Sequence, residues 1–176
     1  EYGIIINNYR NEFIEKIKLK INKIHKTITE EKEEIKIKYL SDCFDKEKFI
    51  NKLKENRNQD ILRGHTTNGI QKDDILFYIN GKQVSIYGSQ GQQRTTILSL
   101  KMCELEIIKD EINEYPILLL DDFMSELDEK RKDNFLNNME KMQIIITCTD
   151  DININKINKY KVKSGEVLLL NTWFLY

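Results

Sequence analysis

Two adjacent carboxylates, Asp121 and Asp122, close the most apolar run of the chain, Ile117 to Leu120. Ligand sites of α/β proteins gather at the carboxyl ends of their strands. Two neighbouring acids at such an end repel each other and lose solvation, and a divalent cation offsets both costs. A strand that simply ends with its acids facing solvent explains the same residues. Upstream, Ser89-Gln90-Gly91-Gln92 leads into a run of helix formers. A serine hydroxyl, free backbone N–H groups and the positive end of a helix favour an anionic oxygen, and Gly91 permits close approach. Taken alone, the same four residues describe a capped helix start. Ser125 with Asp128 is a capping-box-like pattern for a following helix.

The elements that must position these residues follow from periodicity. Ile14, Ile17, Ile21, Ile24 and Ile28 recur at three and four, which predicts an amphipathic helix over residues 2 to about 28. Lys16, Lys20 and Lys23 line another face of it. With Arg63 they are candidate contacts for nucleic-acid phosphates, against the alternative of a solvated basic face. Glu33 to Leu40 alternates as a strand. Asp45 caps a predicted helix from Lys46 to about Leu62, with Phe49, Ile50 and Leu53 on its inner side. Gly64-His65-Thr66-Thr67-Asn68-Gly69 breaks the pattern, placing a boundary near Arg63.

Beyond it, Asp74 to Gly88 reads as a hairpin turning at Asn80-Gly81. A long helix is predicted from about Gly91 to Ile112, with Leu98, Met102, Leu105, Ile108 and Ile112 in helical period. Ile117 to Leu120 has the continuous apolarity of a strand buried on both faces of a parallel sheet. A helix from about Asp128 to Met139 and a buried strand in Gln143 to Thr149 complete a βαβ unit. Tyr160 to Tyr176 reads as a hairpin turning at Ser164-Gly165.

Composition narrows the class. The 176 residues carry 28 Lys plus Arg and 29 Asp plus Glu, a net charge of −1. That is enough chain for one sizeable core or two small ones, and whole-protein charge supplies no general attraction to nucleic acid. Cys43, Cys103 and Cys148 are odd in number and far apart, which reads as reduced thiols of a cytoplasmic protein. His25 and His65 form no metal cluster. No apolar run is long enough to cross a bilayer, so no membrane partner is expected. The chain begins at Glu1 without a methionine, and it is expected to be a piece of something longer.

The motifs also carry a resemblance. Four apolar residues and two acids resemble a Walker B segment, Ser125 to Asp128 the D-loop that follows it, and the Ser-x-Gly-Gln turn the signature of ABC-type ATPases. The wording "GSQGQQRT" and "LLLDD…SELD", with "EYG", "GKQV" and "IIITCT", resembles the second half of the RecF family, bacterial proteins of DNA replication, repair and recombination. The match runs from near the start to about Asp150 and is densest from Gly88 to Asp128. It implies an α/β fold: a partial ABC/SMC-type ATPase head of P-loop NTPase type, the Walker B half, with an N-terminal mainly helical arm region. Residues 1–62 would be that arm region with one strand, and residues 63–176 the C-terminal part of the head.

The resemblance implies binding of ATP, Mg²⁺ and DNA, an ATP-dependent homodimer, and work with RecO and RecR in loading RecA at single-strand gaps. Asp121 would hold the Mg²⁺ and Asp122 would be the catalytic acid. Ser89, Gln90, Gly91 and Gln92 would contact ATP held by the opposite subunit, and Ser125 and Asp128 would form the D-loop. Gly69-Ile70-Gln71-Lys72-Asp73-Asp74 stands where the family usually has Gly-Pro-His-Arg-Asp-Asp. Cys148 stands where an ABC switch histidine would lie, so no histidine sensor of the γ-phosphate is expected. No G-x-x-x-x-G-K-[ST] occurs, so the chain by itself should neither bind ATP tightly nor hydrolyse it. Two alternatives are a naturally truncated, non-catalytic DNA- or protein-interaction module and another SMC-type ATPase head.

Overall fold

The structure, a computed structural model, describes residues 2–43, 45–122, 128–137, 142–149 and 158–171. Ser125 lies outside them. The chain starts with α1 (Tyr2–Ile28), on which Ile14, Ile17, Ile21 and Ile28 are buried. Helix α1 packs along α4 (Gln90–Ile112), and the antiparallel sheet β1 (Ile35–Leu40), β2 (Asp74–Ile79) and β3 (Lys82–Gln83) packs against the same pair. Asn80 and Gly81, at φ 47° and 80°, make the tight turn between β2 and β3, a backbone that asparagine and glycine tolerate best.

Helix α2 (Lys46–Arg63) begins as expected. The Asp45 side chain accepts from the Lys48 amide, and Gly64 closes the other end in the left-handed region at φ 69°. Its expected inner side is corrected: no residue of α2 is fully buried, Phe49 and Leu53 are half-buried, and Ile50 is exposed. The described contacts of α2 are too few to cover a complete apolar stripe. The predicted second arm of the Asn80-Gly81 hairpin is also shorter than expected. Only Lys82–Gln83 pair with β2, and Val84–Tyr87 form one helical turn, α3, which seats Val84 in the core.

Helix α4 divides its apolar residues between two clusters. Leu98, Met102 and Leu105 face β4 (Leu118–Asp121) and α5 (Glu129–Asn137), whereas Cys103 and Ile107 face α1 and the antiparallel sheet. A helix clamped from two sides need not keep a single stripe. For that reason Ile107 is buried while Ile108 and Ile112, expected in period, are exposed. Strands β4 and β5 (Ile144–Thr147) run parallel through α5, a βαβ unit as the alternation of elements predicts.

The expectation that these strands are buried on both faces is overturned. Leu118 and Leu120 pack on the core, but Leu119 is 69% exposed and Ile145 51%. Among the described residues the sheet has two strands, and helices cover one face of it. The last hairpin, β6 (Lys159–Lys163) and β7 (Glu166–Asn171), turns at Ser164-Gly165 and leaves Val162, Val167, Leu168, Leu169 and Leu170 exposed. Among the described residues no helix is long and apolar enough to cross a membrane.

Candidate functional site

The Ser89 turn is a closed local structure. The Ser89 hydroxyl accepts from the Gln92 amide at 3.2 Å, and the Gln92 side-chain oxygen accepts from the Ser89 amide at 3.0 Å. This reciprocal capping box satisfies two of the orphan donors at the head of α4. Replacing Ser89 with alanine should therefore destabilise the chain by about 1 kcal/mol, read as a lower urea midpoint at unchanged slope.

Gly91 does not sit at a positive φ, so its lack of a side chain is not a torsional requirement. Its role is spatial: a Cβ there would lie 2.6 Å from Nη1 of Arg131. The guanidinium of Arg131 thus fills the space beside the turn. Its Nε lies 3.5 Å from the Asp128 carboxylate, and the Arg131 amide donates to Asp128 Oδ1 at 2.9 Å. Asp128 is thereby brought next to the glycine turn, although 37 positions of sequence separate it from Gly91.

The acidic pair lies at the carboxyl end of β4. By strand alternation Asp121 shares the open face with Leu119, since Leu118 and Leu120 take the core face. Asp121 is paired in register with Thr147 of β5, whose hydroxyl donates to its carboxylate. Asp122 takes a left-handed φ of 47°, which turns the chain off the strand, and its amide donates to the Thr147 carbonyl at 3.1 Å. Thr147 is a site residue that periodicity alone does not find; aligning the parallel runs LLLD and IIIT is the signal that finds it. Among the described residues no group of three or more His, Cys, Asp or Glu is placed to hold a metal. Two exposed carboxylates suit a hard cation that completes its shell with water and phosphate oxygens, as Mg²⁺ does.

Below the glycine turn lies a buried polar cluster. His25 of α1, fully buried, has Nδ1 2.9 Å from the Ser99 hydroxyl and Nε2 3.1 Å from Glu33. Burial pushes the His25 pKa below its ordinary value. Glu33 opposes that shift and Arg131 adds to it. Glu33 and Arg131 are the charged groups that act on the ring. A neutral ring donates from Nε2 to the Glu33 carboxylate, and its Nδ1 then faces the Ser99 hydroxyl, whose one proton is shared between Nδ1 and the Thr95 carbonyl 2.8 Å away.

Because the folded chain resists a proton that the unfolded chain accepts below about pH 6.5, the unfolded state binds more protons as pH falls. The stability that His25 contributes is complete above that pH and is lost below it, down to the lowered folded value. Urea midpoints should fall between pH 7 and pH 5, and the His25→Gln variant should flatten that fall.

The proposed DNA contacts separate. Lys20 pairs with Asp110 at 2.7 Å and Lys16 with Glu111, so both tie α1 to α4 beside acids, while Lys23 and Arg63 are exposed. Burial pushes the Cys103 thiol up to about 12, so it stays protonated and unreactive. Cys148, after β5, is exposed.

No protein-family model matches the chain. The RecF proteins of Clostridium botulinum (strain ATCC 19397 / Type A) and Alkaliphilus oremlandii, each named DNA replication and repair protein RecF, are similar to it. The first is 43% identical over 174 residues, covering 97% of this chain and 47% of the relative; the second is 49% identical over 150 residues, covering 80% and 41%. The chain thus spans about half the length of the curated relatives it matches. Among solved structures, the recombination mediator protein RecF with ATP, of the RecFOR pathway, superposes with a TM-score of 0.79 at 37% identity, covering 97% of this chain and 48% of that one. An SMC ATPase superposes at 0.56 and 16% identity, covering 94% and 89%, a likeness of fold.

Proposed function

This chain is a relative of RecF that aligns with about half of that protein, and from that premise we infer that it forms the C-terminal part of a RecF ATPase head. In this reading it supplies the signature turn, the Walker B acids and the D-loop. Residues 1–62 serve as the arm region and 63–176 as part of the head. The observation that carries the reading is the parallel β4–β5 pair ending in Asp121 and Asp122, with the capped Ser89 turn on the helix packed beneath it.

Asp121 is the carboxylate that would hold Mg²⁺, its orientation fixed by Thr147. The cation, when bound, neutralises charge on the phosphates. Asp122 would orient or deprotonate the attacking water. Its left-handed backbone sets it apart from the strand that carries Asp121. Ser89 and the first amides of α4 would face the γ-phosphate of ATP held by the opposite subunit. Because the Gln92 side chain is already engaged within the chain, its contribution there would come from the backbone.

The further assignments are of the same standing: ATP and Mg²⁺ as ligands of the whole protein, and an ATP-dependent homodimer. They extend to DNA binding at single- and double-strand junctions, with RecO and RecR as partners in loading RecA, and to action in the cytoplasm. The test is the mass of the intact protein by light scattering. It should double with ATP and Mg²⁺ and stay monomeric with ADP. A mass indifferent to nucleotide would remove the dimer from the account.

A further inference from the structure

We infer that Glu33 is a positioning residue that fixes the glycine turn of α4 relative to both the arm helix α1 and Asp128. This rests on the assignment of that turn as a nucleotide-dependent dimer contact. The Glu33 side chain is 12% exposed and both of its oxygens are occupied. Oε1 accepts from Gln92 Nε2 at 3.1 Å and lies 3.6 Å from Arg131 Nη2; Oε2 accepts from His25 Nε2 at 3.1 Å.

A carboxylate can accept from an amide and an imidazole while its charge attracts a guanidinium 3.6 Å away, which a neutral side chain of this size cannot do. The contacts then run without interruption from Ser89 through Gln92 to Glu33, and on through Arg131 to Asp128. His25 anchors the middle of this line in α1, and the line joins the turn assigned to the subunit interface to Asp128 of the proposed D-loop.

Local structure explains how Glu33 arrives there. Glu30 and Glu31 both adopt left-handed φ, 54° and 62°, which reverses the chain after α1. Thr29 closes the helix by donating to the His25 carbonyl, and Asn22 accepts from the Ile35 amide where β1 begins. The reversal is tied to α1 on both sides of Glu33, so a movement of the arm helix carries the carboxylate with it. On α4, the small buried residues Thr95 and Ser99 leave room for the His25 ring to pack against the helix. Gly91 leaves room for Arg131. A charged group held by three elements in a low-dielectric setting transmits displacement better than an exposed ion pair, because its partners cannot be replaced by water.

Two measurements test this. In the chain itself, nitrogen NMR should find His25 protonated at Nε2, and Glu33→Gln should shift both the His25 ring signals and the Gln92 side-chain amide. A glutamine offers one acceptor and turns an NH₂ toward donors. Unmoved signals would overturn the inference. In the intact protein, Glu33→Gln and Arg131→Gln should each weaken ATP-driven dimerisation by roughly tenfold. ATP affinity of the dilute monomer should be unchanged, and the double variant should be little worse than either single one.

Loss of monomer affinity in step with dimerisation would mark a merely structural role, and additive effects would break the link between Glu33 and Arg131. Dimerisation at wild-type strength in both variants also contradicts the inference. If the unaltered protein fails to dimerise with ATP, the proposed function fails instead, and the NMR measurement still decides the place of Glu33.

Discussion

Replacing Asp122 with asparagine is expected to lower ATP hydrolysis by the intact protein by about 10²–10⁴-fold while leaving ATP-driven dimerisation in place. Asparagine keeps the size of the side chain and its tolerance of the left-handed backbone that Asp122 adopts, so the turn after β4 should survive. Under the proposed assignment, what is lost is the charge that would orient the attacking water or accept its proton. Asp121→Asn differs: under the proposed assignment it would weaken the hold on Mg²⁺ as well as the charge-assisted contact to Thr147, so nucleotide binding and hydrolysis should fall together. Single-turnover hydrolysis with light scattering on the same samples separates the two. Normal turnover in the Asp122 variant would remove that residue from the chemistry.

The second large effect concerns stability. Phe135 is fully buried on α5, among Ile28, Leu98, Met102, Leu105, Leu118 and Leu120. Truncating it to alanine should cost about 3–5 kcal/mol, a large part of the 5–15 kcal/mol typical of a domain. Urea denaturation of the chain should show the loss directly. Leu119, one residue from the buried Leu118 and Leu120, is 69% exposed. Leu119→Ser should leave the midpoint almost unchanged and should lessen self-association, because the open face of β4–β5 and the exposed β6–β7 hairpin are apolar surfaces that tend to recruit another chain. A dispersed monomer before the substitution would contradict that account of the open face.

These residues also show where sequence suffices. Asn80-Gly81, Ser164-Gly165, the Asp45 cap and the Ser89-Gln92 box are local chemistry, determined by residues within a few positions of each other, and they form as their residue types require. The isoleucine stripe of α1 is similarly explicit because one face of that helix is buried. Burial of β4 was not legible: four leucine-like residues in a row are consistent with two covered faces, and only the surrounding elements decide that Leu119 is open. Periodicity fails on α4 because a helix packed from two sides has no single face. The cluster around Glu33 joins residues as far apart as Glu33 and Arg131, 98 positions. No spacing rule links a turn glutamate to a capping glutamine, and His25 by sequence is one more polar residue on an amphipathic helix.

The central claim is that the Ser89 turn acts on nucleotide held by the opposite subunit. Mixing two variants of the intact protein tests it: Ser89→Arg, which blocks the turn, and Asp122→Asn, which disables hydrolysis. Each should be nearly inactive by itself. In a mixed dimer one composite site combines the unaltered Asp122 of the first subunit with the unaltered Ser89 turn of the second. Equimolar mixing should therefore restore roughly a quarter of the wild-type ATPase rate for a symmetric dimer. A mixture as inactive as its two components would mean that the turn and the acids serve the same subunit, and would contradict the account.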